Sequence, residues 1–317
     1  MIAVQISNSG GADVLELVDL PTPEPASGEV LVEVSLAGVN YRDTHLSEVE
    51  ALSGGLRPIV PGMEVVGRTP DGTRVAAVVP RGGYAQYAAV PEALAVPVPD
   101  GVDDLSALAL LVQGTTAWLL LHESARMRAG DSVLVQAAAG GVGTLVVQLA
   151  REAGAGRVIG LAGTPAKRAL VLDLGADAAV DSTASDWPEQ VRRANGGQGL
   201  DIVLDMTGGP ETARSRSLLA PLGRLVFFGM AGRVQPDPVP PSDLLASSTT
   251  VGGLMLEHAM TRPGLLERAM GELFARVAEG RLHVVSGGVR GLSEVQRVHE
   301  ELTGRRTVGK LALDPRR

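Results

Sequence analysis

In the first third of the chain, apolar and polar positions alternate in short runs. "EVLVEVSLAGV" (29–39), "TRVAAVV" (73–79) and "YAQYAAV" (84–90) share this pattern, and "PTPEPASG", "PDG" and "PRGG" separate such runs. Period-two runs bounded by Pro and Gly predict short twisted strands in an all-β region. From residue 132 the rhythm changes. "SVLVQA" (132–137), "RVIGLA" (157–162), "AAV" (178–180), "DIVLDMTG" (201–208) and "GRLVFFG" (223–229) are near-continuous apolar runs. Helical patterns lie between them, over 142–152, 165–175, 186–195 and 210–220. Buried strands alternating with helices predict βαβ units and a parallel sheet, with "TTVGGLML" (249–256) as a last strand. Beyond residue 262, "LLERAMGELFARVAEG" predicts a long amphipathic helix. The tail is expected to return to the first domain. The expected division is therefore 1–112 with 260–317, and 113–259.

Length and composition narrow this picture. A chain of 317 residues with 45% hydrophobic and 20% charged residues suits two ordinary globular domains. The net charge is -8, and no basic run exceeds a pair, which argues against a nucleic-acid partner. Cysteine is absent, so disulfides, thiolate metal sites and a cysteine nucleophile are excluded. His45, His122, His258, His283 and His299 show no ligand-type spacing, and no metal site is expected. No basic start followed by a long apolar core opens the sequence, and no uncharged apolar stretch near the roughly 18 residues of a membrane span is expected. The expectation is a cytoplasmic protein with no membrane partner.

One junction carries chemistry. In "AAAGGVG" (137–143), Ala138, Gly140 and Gly143 stand at G-x-G-x-x-G spacing around Gly141 and Val142, with a strand before and a helix after. Small residues let the backbone approach a pyrophosphate, and the last glycine lets helix and strand pack closely. The helix N-terminus adds free N–H groups and a positive dipole end. At the tip of the next strand an NAD site wants a carboxylate, yet no Asp or Glu occurs from 153 to 172. Gly163, Thr164, Lys167 and Arg168 stand there instead and suit the 2′-phosphate of NADPH.

Five stretches together resemble the zinc-independent quinone oxidoreductases of the medium-chain dehydrogenase/reductase superfamily: "AGVNYRDTHL" (37–46), "PGMEVVG" (61–67), "LLVQGTTAWLLL" (110–121), "AAAGGVG" (137–143) and "LTGRRTVGKLAL" (302–313). The resemblance implies a GroES-like β-barrel catalytic domain and a Rossmann domain that bind NADPH. It places Asn40 beside the nicotinamide and Thr116 near that end of the cofactor. It assigns Gly163, Thr164 and Lys167 to the adenosine phosphate, Phe228 and Gly229 to the border of the nicotinamide, and Arg305 to a contact from the tail. It also implies a homodimer, paired along the strand at 249–256. Three departures stand out: a shortened stretch between Val66 and Arg74, Ser182 where relatives often carry an aromatic residue, and His45 where relatives often carry Tyr.

Without a metal Lewis acid, hydride addition suits an acceptor that is already activated, a quinone or an α,β-unsaturated carbonyl. Asn40, Tyr41 and His45 are the candidate catalytic residues. Tyr41 or His45 could donate a proton, and water serves equally well. Tyr84 and Tyr87 are read as strand packing. The leading expectation is an NADPH-dependent quinone reductase. The alternatives are an enoyl or 2-alkenal reductase and a non-catalytic NADPH-binding sensor.

Overall fold

The structure, a computed structural model, describes residues 1–46 and 58–317. It divides into two units, Met1–Val112 with Met270–Arg317, and Gln113–Ala269. In the first, a hairpin of β1 (Ile2–Ile6) and β2 (Leu15–Asp19) precedes β3 (Glu29–Val39), β4 (Glu64–Arg68), β5 (Arg74–Val78), β6 (Tyr87–Pro91) and β7 (Ala95–Pro97). β3 is long enough to pair antiparallel with both β4 and β6. The strand expected over 84–90 starts later, at Tyr87. Tyr84 instead bonds through its backbone to Val4 and Pro61.

Helix α1 (Asp104–Ser124) follows, capped by Asp103, whose carboxylate accepts the Ser106 N–H at 2.9 Å. It contains two π-helical stretches, Leu110–Gly114 and Leu120–Ser124. Such wide turns recur at functional sites. By length and composition this helix could cross a membrane, which corrects the reading that no such stretch exists. Gln113, Thr115 and Thr116 interrupt its apolar run without adding charge. The apolar window is 83% buried inside the protein.

The second unit runs β8 (Ser132–Val135), α2 (Gly141–Glu152), β9 (Arg157–Ala162), α3 (Pro165–Asp173), β10 (Ala178–Asp181), α4 (Trp187–Ala194), β11 (Leu200–Asp205), α5 (Pro210–Arg216), β12 (Leu219–Phe227), α6 (Pro241–Ser247), β13 (Thr250–Gly253) and α7 (Leu256–Met260). Its strands are parallel, in the order β10-β9-β8-β11-β12-β13. The order reverses between β8 and β11, and in such sheets ligands bind at the carboxyl ends beside the reversal. Leu134, Ile159, Val203 and Leu225, side by side across β8, β9, β11 and β12, belong to one buried core cluster. The helix expected over 210–220 stops at Arg216. The strand begins at Leu219 because a register shift opposite Leu200 and Ile202 absorbs Pro221 and Gly223. The last strand spans four residues rather than the eight of 249–256.

The tail supplies α8 (Leu265–Ala278), β14 (Ser286–Gly291), α9 (Val295–Thr303) and β15 (Lys310–Asp314). β15 pairs antiparallel with β3 and parallel with β14, which gives the first unit the sheet order β14-β15-β3-β4-β5-β7. The tail thus adds two strands to the sheet of the first unit. The chain passes between units inside α1 and again inside α8, between Ala269 and Met270, whereas the sequence reading drew that boundary at 260.

Candidate cofactor and active site

The glycine turn lies at the carboxyl end of β8. Ala138, Gly140, Gly141, Val142 and Gly143 lead straight into α2, and Ala138 N–H bonds the Leu161 carbonyl of β9 at 3.0 Å. A Cβ on Gly143 would collide with the Ala137 carbonyl and lie 2.6 Å from Ala138 Cα, so this glycine sets how closely helix and strand pack. Among the described residues, chain neighbours aside, a Cβ on Gly140 would meet one atom within 4 Å, the Ala137 oxygen at 3.2 Å. The turn leaves little side chain at the start of α2. That is the form of a cradle, and the first-turn N–H groups of a helix have no intrahelical partner. A dinucleotide pyrophosphate therefore fits these residues. A Cβ on Gly141 would collide with the amide of Gln113, which the first π stretch of α1 lays against the turn. Gln113 carried no signal as a motif residue by itself, because its contact lies 28 positions away. Thr116 sits one turn further along α1 and is buried.

At the tip of β9, Thr164 caps α3, its hydroxyl accepting the Lys167 N–H at 3.3 Å. Gly163 lies beside Ser182 and Thr183 of the neighbouring loop. Arg168 is not a free cation here. It pairs with Asp181 at the end of β10 at 2.9 Å, and Thr183 together with Arg168 holds that carboxyl below the usual range. Nothing in the sequence at the tip of β9 announces this carboxylate, which comes from the end of β10. The pair is internally neutral, and Lys167, in the first turn of α3, is the other cationic residue at this strand tip.

Two loops close the other side of the reversal. Gln136, buried at the end of β8, accepts the N–H groups of Met206 and Thr207 at 3.2 and 3.1 Å and donates to Ser215 at 2.7 Å. Phe228 N–H bonds the Asp205 carbonyl at 2.9 Å, and a Cβ on Gly229 would lie 3.4 Å from the Met206 oxygen. Backbone hydrogen bonds thus lace the segment holding Phe228 and Gly229 to the carboxyl end of β11.

In the other unit, Asn40 ends β3 and starts the short helical turn Tyr41–His45. Its amide donates to Glu64 Oε1 at 2.6 Å, and its backbone N–H donates to Asp43 Oδ2 at 2.8 Å. Tyr41 and His45 are half-buried, edge to face at 4.9 Å, and Thr44 Oγ1 lies 2.8 Å from His45 Nδ1. Behind the turn lies a buried polar cluster. Glu64 is fully buried, bonds the ammonium of buried Lys310 and accepts the Val112 N–H at 3.2 Å. Gly38 makes room for it, since a Cβ there would overlap the Glu64 side chain. Tyr84, read as packing, donates its hydroxyl to Asp43 at 3.0 Å. Burial pushes the Asp43 carboxyl up to about 6 and the Tyr84 phenol well above its usual range. Glu64, Lys310, Asp43 and His299 were missed as site neighbours, although "PGMEVVG", "LTGRRTVGKLAL" and "AGVNYRDTHL" contain the first three. Arg305 is exposed, just past α9, with φ 56°. Asn40, Tyr41 and His45 thus share one turn, while the cofactor candidates other than Asn40 and Arg305 lie in the second unit.

Residues 26–100 match a family described as the alcohol dehydrogenase GroES-like domain, and residues 141–270 match one described as zinc-binding dehydrogenase. A probable quinone oxidoreductase of Schizosaccharomyces pombe is 32% identical over 98% of this chain and 96% of its own. A 2-haloacrylate reductase of Burkholderia is 31% identical over 99% of both. Among solved structures, the quinone oxidoreductase of Thermus thermophilus, also solved in complex with NADPH, is 39% identical with a TM-score of 0.88, covering 99% of this chain and 100% of that one.

Proposed function

We propose a reaction from one premise: the chain belongs to the quinone oxidoreductases of the medium-chain dehydrogenase/reductase superfamily. It is an NADPH-dependent oxidoreductase, and its acceptor on this reading is a quinone. When bound, NADPH supplies the hydride. The observation that carries the reading is the glycine turn at Gly140–Gly143, leading into α2, beside a strand tip that carries Gly163, Thr164 and Lys167 and no carboxylate of its own. Gly140, Gly141, Val142 and Gly143 would hold the pyrophosphate, with Ala138 keeping the strand end small. Gly163, Thr164 and Lys167 would hold the 2′-phosphate, and Arg168 would act through Asp181 rather than on the phosphate. Thr116, Phe228 and Gly229 would border the nicotinamide, and Arg305 would contact the cofactor from the tail.

Asn40, Tyr41 and His45 would face the acceptor. A quinone takes up hydride at one site and spreads the charge onto oxygen, so the protein must orient the acceptor, exclude water and offer one hydrogen bond or proton. Asn40 is well suited to orient, because Glu64 and the Asp43 carboxylate fix both its amide and its backbone. Tyr41 or His45 would donate the proton. The chain has no cysteine to supply the thiolate that a zinc alcohol dehydrogenase uses.

The relative that reduces a haloacrylate favours a second reading, reduction of α,β-unsaturated carbonyls. Steady-state assays with a benzoquinone, phenanthrenequinone and a medium-chain enal separate the two. Faster NADPH consumption with the quinones is expected. Turnover of the enal alone would transfer the protein to the second reading, and NADPH binding with no turnover would make it a sensor.

On this reading the enzyme is cytoplasmic and forms a homodimer along β13. β13 is an edge strand, and Leu222, Leu245 and Met255 around it are 82, 82 and 56% exposed. An exposed edge with apolar neighbours invites pairing with a second copy. Light scattering at micromolar concentration should give twice the 32.7 kDa chain mass; a monomer mass would end the dimer proposal.

A further inference from the structure

Three segments far apart in sequence meet behind the 40–45 turn. Tyr84 OH donates to Asp43 Oδ2 at 3.0 Å and lies 3.2 Å from His299 Nε2 of α9. The Tyr84 and His299 rings meet edge to face at 5.9 Å. A phenol has one proton. With that proton directed at Asp43, the contact with His299 is a hydrogen bond when Nε2 carries the hydrogen. The chain therefore runs one way, from His299 Nε2–H to the Tyr84 oxygen and from Tyr84 O–H to Asp43. Asp43 Oδ2 also takes the Asn40 N–H, so the same oxygen ties the chain to the start of the turn. All three side chains are buried, where an unmet polar group costs about 1–3 kcal/mol.

We propose that Tyr84 and His299 are positioning residues, a directed hydrogen-bond chain that orients the Asp43 carboxylate and through it the turn bearing Asn40, Tyr41 and His45. The consequence for turnover rests on the functional reading above. The direction of the chain does not.

Burial pushes His299 down to about 4, so it stays neutral through the working range and can keep its tautomer. Asp43 is raised to about 6 by burial and by the Glu64 charge, while the Asn40 N–H, Tyr84 and Lys310 pull the other way. Below about 6 the carboxylate gains a proton and no longer attracts both donors. Activity should therefore show an acid limb near 6.

Tyr84→Phe keeps the ring and removes one donor to the anion. Its acid limb should move to higher pH, kcat should fall about tenfold, and NADPH affinity should stay within twofold, because Lys167 and the glycine turn lie in the other unit. His299→Gln, which retains an N–H donor, should keep more activity than His299→Phe. An unmoved acid limb and unchanged kcat in Tyr84→Phe would overturn the proposal, and so would equal losses in the two His299 variants. Nitrogen-15 NMR of the imidazole at neutral pH tests the chain without turnover. The Nε2–H tautomer supports it even if the wild type proves inactive, and the Nδ1–H tautomer refutes it.

Discussion

Glu64→Gln should destabilise the barrel unit by about 3–5 kcal/mol, the usual cost of removing one partner of a buried ion pair. Lys310 and Glu64 are 1 and 0% exposed, so water cannot take over the lost charge. The damage spreads beyond the pair. The same carboxylate accepts the Asn40 amide and the Val112 N–H, and Gly38 leaves the space it fills. A neutral amide offers one acceptor oxygen to partners that now meet two. Replacing both ion-pair members by Met should be milder than the single change, since no lone charge remains buried. The shift in urea midpoint checks both variants. A single variant as stable as the wild type would mean that the buried pair contributes little to the stability of this unit.

Gly143→Ala should abolish tight NADPH binding and also lower stability by about 1–3 kcal/mol, as overpacking does. The added methyl meets backbone, the Ala137 carbonyl and Ala138 Cα, and neither can swing aside. Helix α2 must move off β8 and carry its first turn out of place. Gly140→Ala provides the contrast. Its backbone is extended at φ -81°, and the new Cβ approaches one oxygen at 3.2 Å. Its fold should hold, while the methyl occupies the cradle and weakens NADPH by about tenfold, or 1.4 kcal/mol. Titration calorimetry beside thermal melts separates the two effects. Unchanged NADPH affinity in both variants would remove the glycine turn from the binding site.

The sequence made the second unit largely legible because its signals are local. Each parallel strand is a short apolar run, and β9 matches the expected 157–162 from end to end. β3 likewise matches 29–39. Legibility failed where contacts cross the chain. Lys310 meets Glu64 across 246 positions and His299 meets Tyr84 across 215, so no spacing rule connects them. Arg168 pairs with Asp181 on the next strand, a partner that no motif local to Arg168 announces. The run in α1 was not counted as a span because polar residues break it, yet they are uncharged and the helix remains apolar enough. Tyr84 looked like packing because a buried phenol and a buried ring read alike until the carboxylate beside it is located.

The central claim is that this turn and this strand tip select NADPH as the hydride donor. The most direct test is kcat/KM for NADPH against NADH, with a quinone acceptor, in the wild type and in Lys167→Ala. The account predicts a clear preference for NADPH that shrinks about tenfold or more in the variant, with NADH little changed. Equal use of the two cofactors by the wild type, or a preference untouched by Lys167→Ala, would contradict it.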